Sequence, residues 1–198
     1  MLEDLVAGAR FFFRLPSFLR HPLSVDEARA TLRRRLERRE ADFLTLVRRT
    51  IYEYNESPYR QLLKVAGCEY GDLEGLVNQE GVEGALEVLF RHGVHLTVDE
   101  FKGRRPVVRG STQLAVDPSG FRNPLSAFHV PVHSGGSRGE ATLVPMDLAA
   151  IREHAVNEFL ALRGRGGAEW VAALWGVPGS ATLRVMLRYS ICGLPPTR

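Results

Sequence analysis

Cysteine and lysine each appear only twice in 198 residues, and methionine three times. Cys68 and Cys192 lie far apart with no CxxC spacing, which excludes a disulfide framework and the usual zinc ligand pattern. A reduced, cytoplasmic chain is the expectation. No apolar run reaches the roughly 20 residues that span a bilayer, and the N-terminus lacks the charged, apolar and small-residue order of a leader peptide. Strong charge is missing too. The formal net charge of +3 and pI of about 9.1 are a mild basic excess, so no nucleic-acid partner is expected. Neither GxGxxG nor Gly-Lys-Ser/Thr occurs, which removes the two commonest nucleotide loops, and there is no internal repeat.

What is present suits a folded chain. With 44% hydrophobic and 25% charged residues, the sequence can bury one substantial core or most of two small ones. The charge is unevenly spread: residues 1–50 hold eleven arginines against seven acids, and 69–100 hold eight acids against Arg91 alone. Residues 102–109 turn basic again with Lys102, Arg104, Arg105 and Arg109. Solvated helix faces account for this pattern.

The elements follow from local signals. Ser24-Val25-Asp26-Glu27 is a capping box, with Ser and Glu three apart satisfying two free N–H groups at a helix start. Ala28, Leu32, Leu36, Phe43, Val47, Ile51 and Tyr54 then approximate one stripe, which predicts a single amphipathic helix of about eight turns. Pro58 ends it and opens a second helix, Tyr59 to Ala66, stopped at Gly67. Val82, Ala85, Leu86 and Leu89 mark a third apolar face ending at Gly93, and Thr97-Val98-Asp99-Glu100 is another capping box. After Lys102 strands are predicted at Val107-Val108, Leu114 to Val116, Phe128 to Val132 and Leu143 to Met146. Asp147 caps a helix to about Arg163, Trp170 to Trp175 reads as a buried strand, and Ser180 to Tyr189 as a helix. The expectation is an α/β fold with a helical N-terminal half followed by strands and helices. Its predicted parts are an aromatic and basic segment (1–23), a helical region (24–104) and an α/β region (105–198).

Between the third and fourth predicted strands lies VHSGGSRGEAT. Gly135, Gly136 and Gly139 permit backbone turns that direct successive N–H groups inward to make an anion site, and Ser134, Ser137 and Thr142 add hydroxyl donors. Arg138 offers a cation. A plain hairpin turn accounts for the same composition.

The segment resembles the Ser/Thr/Gly-rich phosphate loop of the adenylate-forming superfamily. Ser134 and Gly135 match its opening. Gly136 and Ser137 stand at its hydroxyl pair with one hydroxyl missing, Gly139 at its later glycine, Ala141 at its proline and Thr142 at its end, with Arg138 inserted. SPYRQLLKVAG followed by LTVDEFKGRRP resembles the segment upstream of the loop in phenylacetate–CoA ligases and bacterial fatty-acyl-protein synthetases. PGSATLRVMLRYSICGLPPTR resembles a stretch beyond it. The similarity runs from about Tyr54 to the end and implies part of the N-terminal domain of an enzyme that activates a carboxylic acid with ATP and Mg²⁺ as an acyl-adenylate. The phosphate-binding residues it implies are Ser134, Gly135, Gly136, Ser137, Arg138, Gly139 and Thr142. The superfamily's adenine, ribose and C-terminal lysine motifs are not recognisable, and Lys64 and Lys102 both precede the loop. The resemblance therefore implies a segment inactive alone, whether truncated, split or a remnant.

Other residue types need weighing. His129 and His133 at i,i+4 would stand about 13 Å apart on a strand, too far to share a metal. His92 and His95 flank a helix end, where imidazolium suits the dipole. Cys68 and Cys192 are thiols without an adjacent histidine, and buried apolar cysteine is the default reading. FFFRLPSFLRHPL at 11–23 has the composition of an interfacial membrane segment, or of a face packed on the rest of a domain. Uncovered apolar surface around Trp170–Trp175 and Val185–Leu187 predicts self-association. A non-enzymatic anion-binding module and a membrane-peripheral protein are the alternatives to the ligase reading.

Overall fold

Short polar caps and glycines set where the helices of this chain begin and end, and the computed structural model shows those boundaries directly. It describes residues 2–121, 123–125, 130–133, 143–167, 170–171, 173–175 and 179–194. The elements are α1 (Leu2–Arg20), α2 (Val25–Glu37), α3 (Arg39–Val47) with a π-helical turn Arg48–Tyr52, α4 (Pro58–Val65), α5 (Tyr70–Arg91) and α6 (Val98–Phe101). There follow β1 (Val107–Arg109), β2 (Thr112–Leu114), a 3-10 turn Pro118–Phe121, β3 (Val130–His133), β4 (Leu143–Met146), α7 (Leu148–Gly164) and α8 (Ser180–Ile191). Helices dominate. The strands make two separate antiparallel pairs, β1 with β2 and β3 with β4. The helical first half followed by strands and helices is thus present, while no strands join into a layered parallel sheet among the described residues. No helix among them is long and apolar enough to cross a membrane.

The chain divides into two compact units, Arg35–Leu125 and Met1–Arg34 with Ser126–Arg198. These do not follow the sequence boundaries at 23 and 104, because the N-terminal helix packs with elements more than a hundred residues away. The single long helix predicted from Ser24 is also interrupted. At Arg38 the backbone leaves helical geometry (φ −109°, ψ 13°). The charged run Glu37 to Glu40 offers no apolar side chain to hold the stripe in register there, and Leu36 is exposed rather than buried.

In the unit Arg35–Leu125, Leu44 and Val47 of α3, Leu63 of α4, and Leu73, Val77, Val82, Ala85 and Leu89 of α5 form one buried cluster. Each large side chain fully removed from water there contributes roughly 1.5–3 kcal/mol. Leu86, predicted for the same face, points outward. Helix α5 bends at Gly81, whose φ of +69° and ψ of −179° strain any residue with a Cβ. The bend lets apolar positions on both sides of Gly81 reach one cluster.

In the other unit, α7 and α8 pack together and α1 lies against both. Phe11 of α1 meets Leu148, Ile151 and Leu187, while Leu23 and Ala28 meet Ala155, Val156, Phe159, Ile191 and Cys192. Polar bonds fix the chain between α1 and α2: Leu23 N–H donates to the Ile191 carbonyl at 2.7 Å, and Arg152 donates to the His21 carbonyl at 2.6 Å and to Glu27 Oε1 at 2.7 Å. Asp147 caps α7 as expected, accepting from Ala149 N–H at 2.9 Å.

The segment Trp170–Trp175 is not a buried strand. Its described residues are irregular and exposed, and Trp175 is fully solvent-accessible. Of the neighbouring apolar group at Val185–Leu187, Leu187 is buried between helices. As Trp170 and Trp175 are the chain's two tryptophans, acrylamide is expected to quench the native fluorescence nearly as efficiently as that of the urea-unfolded chain. A blue-shifted, shielded emission would instead place this segment inside an interface.

Candidate functional site

The proposed phosphate-binding residues Ser134, Gly135, Gly136, Ser137, Arg138, Gly139 and Thr142 all lie outside the described residues, as do Phe128, His129 and Ala141. Their anchors are described. Strands β3 and β4 pair antiparallel with Val130 opposite Met146, Pro131 opposite Pro145, Val132 opposite Val144 and His133 opposite Leu143. The backbone at both ends of the 134–142 segment is therefore held side by side, at the roughly 5 Å spacing of paired strands. On the far side β4 runs within one residue into the capped start of α7.

A densely hydrogen-bonded polar cluster lies elsewhere, in the unit Arg35–Leu125, and the sequence hides it. Thr97 caps α6 as predicted: its Oγ1 accepts from Glu100 N–H at 3.3 Å, and Glu100 Oε2 accepts from Thr97 N–H at 2.7 Å. Arg109 completes the cluster. Its guanidinium meets Glu100 at 2.9 Å and 3.5 Å, and donates to the carbonyls of Gly93 (2.7 Å), Val108 (2.9 Å) and His95. Only arginine has enough donors in a rigid fork to serve a carboxylate and three carbonyls together. The fork and, secondarily, the Thr97 bonds lower the Glu100 carboxyl to a pKa of about 2, against a burial cost that would raise it. Arg109 thus belongs to no solvated basic face, although its sequence neighbours Arg104 and Arg105 are exposed. Gly93 has φ +80°, and a Cβ there would lie 2.9 Å from Arg109 Cδ, so both backbone and space call for glycine.

A groove of about 480 Å³ opens beside α5, with Gly67, Cys68, Asp72, Leu76, Gln79 and His92 among its walls. Cys68 and His92 are 24 positions apart, which is why sequence proximity did not connect them. Tyr52 stands behind Cys68, donating to its carbonyl at 3.1 Å with the hydroxyl 3.8 Å from Sγ. Burial raises the pKa of both Cys68 and Tyr52. The His92 Nδ1 lies 2.8 Å from the Val88 carbonyl, so Nδ1 carries the proton and closes the end of α5, as expected of a residue at a helix C-terminus. His95 does something different. Its ring packs on Phe90 with centroids 4.4 Å apart, and its Nδ1 is buried with no hydrogen-bond partner. Cys192 is buried between α7 and α8, where desolvation, aided by the Glu158 carboxylate, pushes its thiol up to about 11. Both thiols therefore stay protonated at neutral pH, Cys192 being buried and Cys68 half-buried. No group of three or more histidine, cysteine or acidic side chains among the described residues forms a metal cluster.

Comparison with known proteins finds no matching family model, no matching curated protein and no matching solved structure.

Two outcomes test this geometry. Replacing Arg109 by methionine should destabilise the chain by about 3 kcal/mol in urea unfolding, because Glu100 is left as an uncompensated buried charge, and Arg109→Lys should recover only part of it. A depressed carboxyl contributes stability that is complete above its ordinary pKa of about 4.3 and lost as the pH falls through the folded value, so wild type should lose stability between about pH 4 and pH 2. Glu100→Gln should flatten that loss. Separately, iodoacetamide at neutral pH should leave Cys192 unmodified until the chain is unfolded, with Cys68 reacting slowly and faster as the pH rises.

Proposed function

We propose that this chain is the N-terminal part of an ATP-dependent carboxylate-activating ligase of the adenylate-forming superfamily, with residues 134–142 as its phosphate loop. The observation that carries the reading is the β3–β4 pairing with His133 opposite Leu143. A cradle of N–H groups holds an anion well only if its two ends are fixed, and paired strands fix them. The donor set is chemically suited to phosphate oxygens. Glycines 135, 136 and 139 supply backbone N–H groups, Ser134, Ser137 and Thr142 hydroxyls, and Arg138 a guanidinium. Glu140 is the single carboxylate in the segment, so Mg²⁺ belongs with the ATP phosphates rather than with the loop.

In this reading ATP supplies the adenylyl group and a carboxylic acid receives it. The loop's own contribution is to position the phosphates and offset their charge, which is most of what such chemistry asks of a protein. Lys64 and Lys102, the two lysines of the chain, both belong to the unit Arg35–Leu125, so the lysine that completes adenylation in the superfamily has no counterpart after the loop. The chain alone binds ATP and does not turn it over. A cytoplasmic enzyme segment is the setting this implies. The same loop acting only as a nucleotide or anion module is the second reading, favoured by that missing lysine.

Calorimetric titration should show Mg²⁺–ATP or pyrophosphate binding by wild type. A variant with Gly135→Val and Gly136→Val should lose it, since β-branched residues do not adopt the required turns. Ser137→Ala should weaken binding by roughly 0.5–1.5 kcal/mol. ATP–pyrophosphate exchange with fatty and aryl acids should stay at background. Equal binding by a folded valine variant would reduce the segment to a hairpin turn, and robust exchange would show that the chain needs no further lysine.

A further inference from the structure

We propose that the outward face of α1 docks on an anionic lipid surface. The helix has two apolar faces. Phe11, Leu15 and Phe18 turn inward and pack on Leu148, Ile151 and Leu187. Phe12 and Phe13 turn outward and are 71% and 88% exposed, with Leu19 and Pro16 also uncovered. At 3.6 residues per turn, Phe13, Pro16 and Arg20 form one row, Phe12 and Leu19 lie on one side of it and Arg10 on the other, with Arg14 farther round toward the packed face. All three arginines are exposed.

The chemistry selects the partner. From Leu5 to Val25 the chain contains three arginines and a histidine but no acid, the acids of α1 being Glu3 and Asp4 in its first turn, so the phenylalanine-bearing part of the helix carries a positive excess. A protein interface of ordinary kind would have to desolvate those guanidiniums, whereas a layer of lipid phosphates accepts them while the phenylalanine rings enter the acyl boundary. Electrostatic attraction then adds to apolar burial, and salt opposes it. The face is also preorganised. The turn following α1 is tied down by Leu23 N–H on the Ile191 carbonyl at 2.7 Å and by Arg152 on the His21 carbonyl at 2.6 Å, so docking needs no coupled folding. This docking is independent of the ATP reading, because no loop residue takes part in it.

The test is cosedimentation of the full chain with vesicles of phosphatidylcholine containing about one-third phosphatidylserine, beside vesicles of phosphatidylcholine alone. Wild type should bind the anionic vesicles at low salt, bind the neutral ones at least about tenfold more weakly, and be released as salt is raised. Phe12→Ser with Phe13→Ser should reduce partitioning at least about tenfold with circular dichroism unchanged. Arg10→Gln, Arg14→Gln and Arg20→Gln together should erase the preference for anionic lipid. Should the double variant fail to fold, Phe13→Gln at the most exposed position carries the test alone. Absence of wild-type binding, or undiminished binding by a folded phenylalanine variant, overturns the proposal. So does self-association in sedimentation velocity that Phe13→Gln abolishes while vesicle binding is absent, which assigns the face to a second copy of the chain.

Discussion

The α6, β1 and β2 part of the unit Arg35–Leu125 depends on one guanidinium. Helix α6 has four residues, and β1 and β2 have three each, all too short to persist by their own hydrogen bonds. Arg109 holds them to the end of α5 by bonding the carbonyls of Gly93 and His95 and neutralising Glu100. Four consequences follow: Glu100 stays ionised though buried, Thr97 keeps its cap, the backbone at Gly93 takes a left-handed turn, and the β1–β2 hairpin has a base. An ion pair with every donor used is stabilising chiefly in the sense that losing one member strands the other.

The unit formed by Met1–Arg34 and Ser126–Arg198 is built differently. Its contacts come from apolar faces of α1, α7 and α8, supplemented by Arg152 where the chain turns from α1 to α2. Glu158 and Arg188 face one another at 3.4 Å between α7 and α8, in a geometry that leaves Glu158 Oε2 and Arg188 Nε without hydrogen bonds. Their charges are felt by Cys192, whose thiol Glu158 pushes further up and Arg188 pulls down. The hairpin β3–β4 belongs to this unit and touches α1 and α8 through β3. Thus the strands flanking the 134–142 segment and helix α1 belong to one unit, while the Arg109 cluster and the Cys68 groove belong to the other.

Much of the secondary structure was legible because it is locally determined. Ser24, Pro58, Thr97 and Asp147 start helices, and Gly67 and Gly93 follow helix ends, through bonds that span three or four residues. The Ser24 box is fulfilled in an altered form. Glu27 N–H donates to Ser24 Oγ at 3.1 Å, but the Glu27 carboxylate is drawn chiefly to Arg152, 125 positions on, which lowers its pKa.

Tertiary structure alone decided which apolar and charged residues face inward. Periodicity placed Leu36 and Leu86 on buried stripes, and apolar composition placed Trp170–Trp175 in a core, yet Leu36, Leu86 and the described residues of 170–175 are exposed, since neither signal states how far a covering partner extends. Arg109 read as one charge in a basic run, because nothing in its neighbours reveals that Glu100 and the Gly93 and His95 carbonyls converge on it. Tyr52 reaches Cys68, and Cys68 and His92 line one groove, for the same reason. The sequence by itself determined where helices start and stop, which depends on short-range hydrogen bonding. Burial, ion pairing and the groove were decided by contacts between residues tens to more than a hundred positions apart, and those exist only once the chain has folded.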